Sequence, residues 1–134
     1  MEQSNSKAVS YWRDAAKYGH SEAQFSLGYM YHKGYGVEED HKLAADWYGI
    51  AAKQGNPRAL VNLGNMYQEG KGRPINAKMA REAFQKGSEL GNPTARCNLA
   101  FNILNNETGA EAEDEAFDKM RSAAELGLDA PKTD

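Results

Sequence analysis

The chain has 134 residues, of which 40% are hydrophobic and 26% charged, a balance that builds one soluble core or one short array and excludes a disordered tail. Its 16 basic and 19 acidic residues leave a net charge of -3 with no basic patch, so nucleic acid is not an expected partner. The lone Cys97 excludes an internal disulfide and favours a reducing, cytoplasmic setting. No apolar stretch nears the roughly 20 residues that span a bilayer, so membrane insertion is not expected.

Residues 1–19 read as one helix, and its start, MEQSNSKAVSYW, has neither the basic nor the apolar region of a signal peptide. A signal removed beforehand would leave a periplasmic or secreted setting open. This helix closes on AAKYG at Gly19, and related endings follow at Gly55 (AAKQG), Gly91 (GSELG) and Gly127 (AAELG), each 36 residues after the last. Glycine suits these positions because it enters the left-handed conformation that closes a helix.

Residues 20–55 form the first full unit. Ala23, Leu27, Met30 and Tyr31 fall at i, i+4, i+7 and i+8, the stripe of an amphipathic helix, here helix A. After Gly34-Tyr35-Gly36, the residues Ala44, Trp47, Tyr48, Ala51 and Ala52 repeat the stripe as helix B. Residues 56–91 match this in register: Asn56-Pro57 opens helix A with a capping side chain and a first-turn proline, and Gly70-Lys71-Gly72 leads to helix B. Ser4, Asp40 and Asn76 share the column that caps helix B. Residues 92–127 open with Asn92-Pro93 but are degenerate, with Ala100, Ile103, Asn106 and Thr108 in place of the helix A glycine, the tyrosine and the two turn glycines. Ala112 occupies the capping column without a capping group, so that helix is expected to start nearer Asp114. Such a departure suits a terminal cap. Residues 128–134 are a tail, and residues 1–19 are a half repeat made of helix B alone.

The columns set the fold class. Trp12, Tyr48, Phe84 and Met120 form a bulky column, while Gly28, Gly64, Ala44 and Ala80 let helix backbones approach. A helix pair this small cannot bury its stripe alone, so the units stack into an all-α solenoid of antiparallel helix pairs with a 36-residue repeat. The pattern A-x-x-x-L-G-x-M-Y-x-x-G-x-G at Ala23–Gly36 and Ala59–Gly72, followed by W-Y-x-x-A-A-K-Q-G at Trp47–Gly55, resembles the Sel-one-like repeat, a relative of the tetratricopeptide repeat. The resemblance covers Ser4 to Gly127. It implies a right-handed superhelix that serves as a scaffold, adaptor or regulator for other proteins.

Motifs with chemical overtones have plainer readings. Gly34-Tyr35-Gly36 and Gly70-Lys71-Gly72 follow no strand and continue into no phosphate-loop signature, so they read as turns. Ser4 and Lys7 have the S-x-x-K spacing of penicillin-binding enzymes, but Ser4 sits in the capping column. His20, His32 and His41 lack metal-ligand spacing, so neither a metal nor a cofactor is expected. The acidic run Glu111, Glu113, Asp114 and Glu115 reads as a solvated helix start. Cys97, in a column with Phe25 and Val61, reads as a small packed residue.

By resemblance to tetratricopeptide proteins, helix A lines the concave surface. One of its faces presents Glu22, Phe25, Tyr29 and His32, then Arg58, Val61, Asn65 and Gln68, then Thr94, Cys97, Phe101 and Leu104. The protein-binding residues expected from this are Phe25, Tyr29, His32, Arg58, Val61, Asn65, Gln68 and Phe101. Aromatic anchors would hold a peptide or helix, and Arg58, Asn65 and Gln68 would orient it. Alanine at Arg58 or Asn65 is expected to weaken binding with little effect on stability. The chain is therefore expected to bind protein or peptide partners without catalysis, and its open ends favour end-to-end self-association. Two other readings are a β-lactam or peptidoglycan-directed hydrolase, by family analogy, and an inhibitor or immunity protein for one toxin or enzyme.

Overall fold

The computed structural model describes residues 2–106 and 110–125. These residues form helices only: α1 (Glu2–Lys17), α2 (Ser21–Lys33), α3 (His41–Lys53), α4 (Pro57–Glu69), α5 (Ala77–Glu89), α6 (Pro93–Asn106) and α7 (Ala110–Glu125). Each helix packs on its neighbours in the chain, from α1 on α2 through to α6 on α7. Helix α4 also touches α6 directly, whereas among the described residues the odd-numbered helices make no comparable contact with one another. Helices α4 and α6 therefore approach one another on one side of the array.

Capping fixes where most of these helices begin. The Asn56 side chain accepts from the Ala59 amide at 3.1 Å and Asn92 from Ala95 at 2.9 Å, each just ahead of a first-turn proline. Asp40 accepts from Leu43 and Asn76 from Met79, both at 3.0 Å. Gly19, Gly55 and Gly91 close the preceding helices with φ of 86°, 81° and 84°. Two starts differ from the sequence expectation. Helix α1 begins at Glu2, which places Ser4 inside the helix rather than at its cap, because Glu2 and Gln3 are good helix formers that carry it upstream. Helix α7 begins at Ala110, ahead of Asp114, since alanine and glutamate both favour a helical first turn and the acids suit its dipole. Thr108, Gly127 and the tail at 128–134 lie outside the described residues.

The core is a row of three clusters, each bridging consecutive helices. Val9, Ala16, Ala23 and Leu27 form the first; Ala44, Tyr48, Ala51, Ala59 and Met66 the second; Ala80, Phe84, Leu99, Ile103 and Ala116 the third. Within a unit the helices meet at a glycine. A Cβ on Gly28 would lie 2.8 Å from Cδ1 of Tyr48, and one on Gly64 would lie 2.5 Å from Cε1 of Phe84, so only a bare backbone admits these rings. Gly72 adopts a φ of 70° and abuts the His41 carbonyl, which seats the turn of one unit on the first residue of the preceding unit's helix. The glycine-rich turns are thus packing elements.

Candidate functional site: the face of the even-numbered helices

Side chains along α2, α4 and α6 are tied together from unit to unit. Glu22 on α2 ion-pairs with Arg58 on α4 and accepts a hydrogen bond from Nδ2 of Asn56 at 2.9 Å. The Arg58 guanidinium lies 4.5 Å above the centre of the Phe25 ring, within cation-π range. Beside it, Nε2 of Gln54 donates to Oε1 of Gln24 at 2.6 Å, and Gln24 donates to the Ala16 carbonyl at 3.2 Å. Farther along the same face, Nδ2 of Asn98 donates to Oδ1 of Asn65, and Nδ2 of Asn102 donates to Oε1 of Gln68, both at 3.3 Å. Amides therefore stitch α4 to α6 as the Glu22–Arg58 pair stitches α2 to α4.

The residues singled out from sequence occupy three kinds of position. Phe25, Arg58 and Val61 converge, with Asn62, Asn92 and Thr94, on a shallow cavity of about 160 Å³ that crosses α2, α4 and α6. Tyr29 and Phe101 stand 40% and 38% exposed on either flank; Tyr29 stacks edge-on with Tyr35 at 6.0 Å. Asn65 is 3% exposed and His32 8%, so they form the floor of the strip; the His32 ring meets His41 edge-on at 5.3 Å, toward helix α3. Gln68 is half-buried. The burial of Asn65 and its bond to Asn98 correct the expectation that alanine there leaves stability nearly unchanged.

Asn98 and Asn102 were missed in the sequence, though their i, i+4 spacing on one helix face, one repeat after Asn65 and Gln68, was a readable signal. So was a second cavity of about 280 Å³ on the opposite side, between α3 and α5 over α4. Its floor holds Leu60, Leu63 and Tyr67, and its rim Lys53, Lys86 and Arg73. Gly49 opens it, in a column that otherwise carries Arg13, Gln85 and Arg121. Arg73 is held by Asp46 at 2.9 Å.

Elsewhere the chemistry is structural. Cys97 is 2% exposed within the core. Glu115, from the acidic run, lies 3.6 Å from the Arg81 guanidinium. Among the described residues, no group of three His, Cys, Asp or Glu is placed to hold a metal ion, and no helix is long and apolar enough to cross a membrane.

Comparison with known proteins decides the lineage. The Sel1 repeat family model matches residues 21–56 and 57–92, which are the α2/α3 and α4/α5 pairs with their connections. The chain belongs to the Sel1 repeat family. Among solved structures it is similar to a Sel1 repeat protein from Oxalobacter formigenes, with 28% identity and a TM-score of 0.84, over 92% of this chain and 51% of that one. It is also similar to a protective antigen present in uropathogenic Escherichia coli strains that displays an SLR fold, with 28% identity and a TM-score of 0.83, over 94% of this chain and 30% of that one. The chain thus spans about half, or less, of the length of these two structures. No curated protein matches it in sequence. Its fold is the right-handed α/α superhelix of Sel1 repeats, a class that serves in general as a scaffold for protein interactions. The α6/α7 pair falls beyond the matched span because Ala100 and Ile103 replace the motif glycine and tyrosine, yet both are fully buried and keep the pair packed.

Proposed function

We propose that this Sel1 array is a non-catalytic recognition module, a scaffold, adaptor or regulator, that holds a protein or peptide partner along the inner face of α2, α4 and α6. The direct contact between α4 and α6 supports placing that face on the concave side, since the helices that crowd together lie inside the curve. The observation that carries the reading is the cavity at Phe25, Arg58 and Val61. It gathers an aromatic ring, a cation and an apolar floor from separate helices. An apolar partner side chain fits the floor, and an acceptor group of the partner meets the Arg58 fork. Tyr29 and Phe101 extend the strip as exposed anchors. Gln68 orients the partner, and His32, Val61 and Asn65 set the shape beneath.

Selection of peptides from a displayed library against the full chain, followed by amide chemical-shift mapping of the bound peptide, tests the proposal. Perturbations centred on Phe25, Arg58, Gln68 and Phe101 are expected, together with at least a tenfold loss of affinity for Arg58→Ala, the order of loss given by truncating one buried anchor of an interface. Perturbations confined to Leu60, Tyr67 and Lys86 would move the site to the other side of the array.

A further inference from the structure

The space between α3 and α5 over α4 lacks two side chains that close the corresponding space one repeat earlier. There, Nη2 of Arg13 on α1 donates to the Tyr31 hydroxyl at 3.1 Å, and Trp47 on α3 packs against the cluster that holds Leu27, which is fully buried. One repeat on, the same columns carry Gly49 and Ala83, and one repeat further Gln85 and Lys119. Leu99, a later member of the Leu27 column, is again fully buried, whereas Leu63 between them is only half-buried. Leu63 lines the cavity of about 280 Å³ together with Gly49, Leu60, Tyr67 and Ala83. The void thus stands where the preceding unit has an indole and a guanidinium. Its polar groups are left without partners as well. Arg73 occupies the column of Val37, and its Nε–H is buried with no hydrogen-bond acceptor, although the same guanidinium pairs through Nη2 with Asp46 at 2.9 Å. Lys53 and Lys86 stand exposed at the rim, and among the described residues neither has an ion-pair partner. Glu82 is the one acid in a lining that holds these three cations.

We infer that this cavity is a binding site for a small planar aromatic carboxylate, its ring seated where Trp47 sits one repeat earlier and its carboxylate turned to Arg73, Lys53 and Lys86. The floor of Leu60, Leu63 and Ala83 is apolar and suits a flat ring, which regains the packing contacts that an open void forfeits. A neutral ring would leave the Arg73 Nε–H unsatisfied. A carboxylate accepts from it in a charge-assisted bond and faces a rim on which Glu82 lowers but does not cancel the positive charge. The volume stands at the lower end of ligand-sized cavities, which restricts the occupant to a molecule of one or two rings. The tryptophan side chain of a partner protein is a poorer occupant, because it brings the ring without the charge. The site lies across the array from the strip at Phe25 and Arg58 and does not depend on it.

The test titrates the full chain, isotope-labelled, with indole-3-propionate. Saturable shifts of the Gly49, Leu63 and Tyr67 amides and of the Arg73 Nε–H are expected by about 1 mM, an affinity in keeping with so small a ligand, with Phe25 and Phe101 unmoved. Indole-3-propanol, the neutral counterpart, is expected to bind at least about tenfold more weakly. The double variant Lys53→Gln with Lys86→Gln, both exposed, is expected to bind the acid more weakly with its urea midpoint unchanged. Ala83→Trp, which restores the residue of the preceding repeat, is expected to abolish the shifts; Ala83→Leu fills the same space should the larger ring disturb the fold, as read by circular dichroism. Absence of saturable shifts would overturn the inference, as would equal binding of the acid and the alcohol, or undiminished binding to a folded variant at Ala83. An N-acetylated, C-amidated tryptophan peptide that shifts the same amides while the free acid does not would overturn it too, and would assign the cavity to a partner's side chain.

Discussion

Replacing Gly64 with alanine sets two opposing effects against each other. Alanine in a helix interior is favoured over glycine by about 1 kcal/mol. Against this, the new Cβ would lie 2.5, 2.8 and 2.9 Å from three carbons of the Phe84 ring, which is fully buried among Leu99, Ile103 and Ala116 and has no vacant space to enter. Overpacking of this kind costs about 1–3 kcal/mol, and three simultaneous short contacts with a confined ring place it in the upper part of that range. A net loss of about 1–2 kcal/mol is expected. Gly49 supplies the control: it lies inside α3, and the nearest atom to its added Cβ is the Arg73 guanidinium at 3.9 Å, so Gly49→Ala is expected to gain up to about 1 kcal/mol. Urea unfolding followed by helical circular dichroism reads both, with the midpoint as the measure provided that the slope is unchanged. The pair Gly64→Ala with Phe84→Leu is expected to recover part of the loss, because the shorter side chain vacates the contact. A Gly64→Ala protein as stable as the parent, or as stabilised as Gly49→Ala, would refute the argument that glycine is there to admit the ring.

Further outcomes follow from the same geometry. Asn65→Ala is expected to lower stability by about 1–3 kcal/mol in denaturant titration, since it removes the buried acceptor of Asn98 at 3.3 Å. Arg58→Ala is expected to change stability by less than about 1 kcal/mol, because both members of its pair with Glu22 are more than half exposed, so any large loss of partner binding reports on recognition. Asp40→Ala removes the acceptor for the Leu43 amide and is expected to cost about 1 kcal/mol, while Asp40→Asn, which retains a capping oxygen, is expected to lose little by the same titration. A chromogenic β-lactam is expected to be hydrolysed no faster with the protein than in buffer, and Ser4→Ala is expected to leave that rate unchanged.

What the sequence disclosed and what it withheld divide along a physical line. The period, the helix types, the caps at Asp40, Asn56, Asn76 and Asn92 and the glycine seam were legible because each depends on chain neighbours or on the facing helix of one unit, which a repeat reproduces every time. The column Tyr29, Asn65, Phe101 shows where this stops. Its members share a face, yet they are 40%, 3% and 38% exposed. Asn65 belongs to the middle even-numbered helix and has such a helix on both sides, while Tyr29 and Phe101 each have one on a single side. Burial thus depends on place within the array, which periodicity does not encode. An amide in an otherwise aromatic column reads as a recognition residue when viewed alone, but becomes a link between units once Asn98 stands opposite.

The same principle bears on how the inner strip works. In an array whose neighbouring units were joined only by apolar packing, the strip would be free to change pitch as units slide. Here Glu22 with Arg58, Asn65 with Asn98 and Gln68 with Asn102 fix the offset of each even-numbered helix against the next. The two amide pairs, which are buried or half-buried, tolerate little displacement, because a parted amide loses its partner without regaining water, whereas the exposed Glu22–Arg58 pair adds a weaker restraint. If this strip is the recognition surface, as proposed, it is set before a partner arrives, and little ordering is left to oppose binding. Arg58 occupies both roles, since its pair with Glu22 holds it over Phe25, at the mouth of the cavity. Glu22→Gln, which keeps a hydrogen-bond acceptor but removes the charge, is therefore expected to weaken partner binding by loosening Arg58, by less than Arg58→Ala does. An affinity unchanged by Glu22→Gln would show that Arg58 needs no such support.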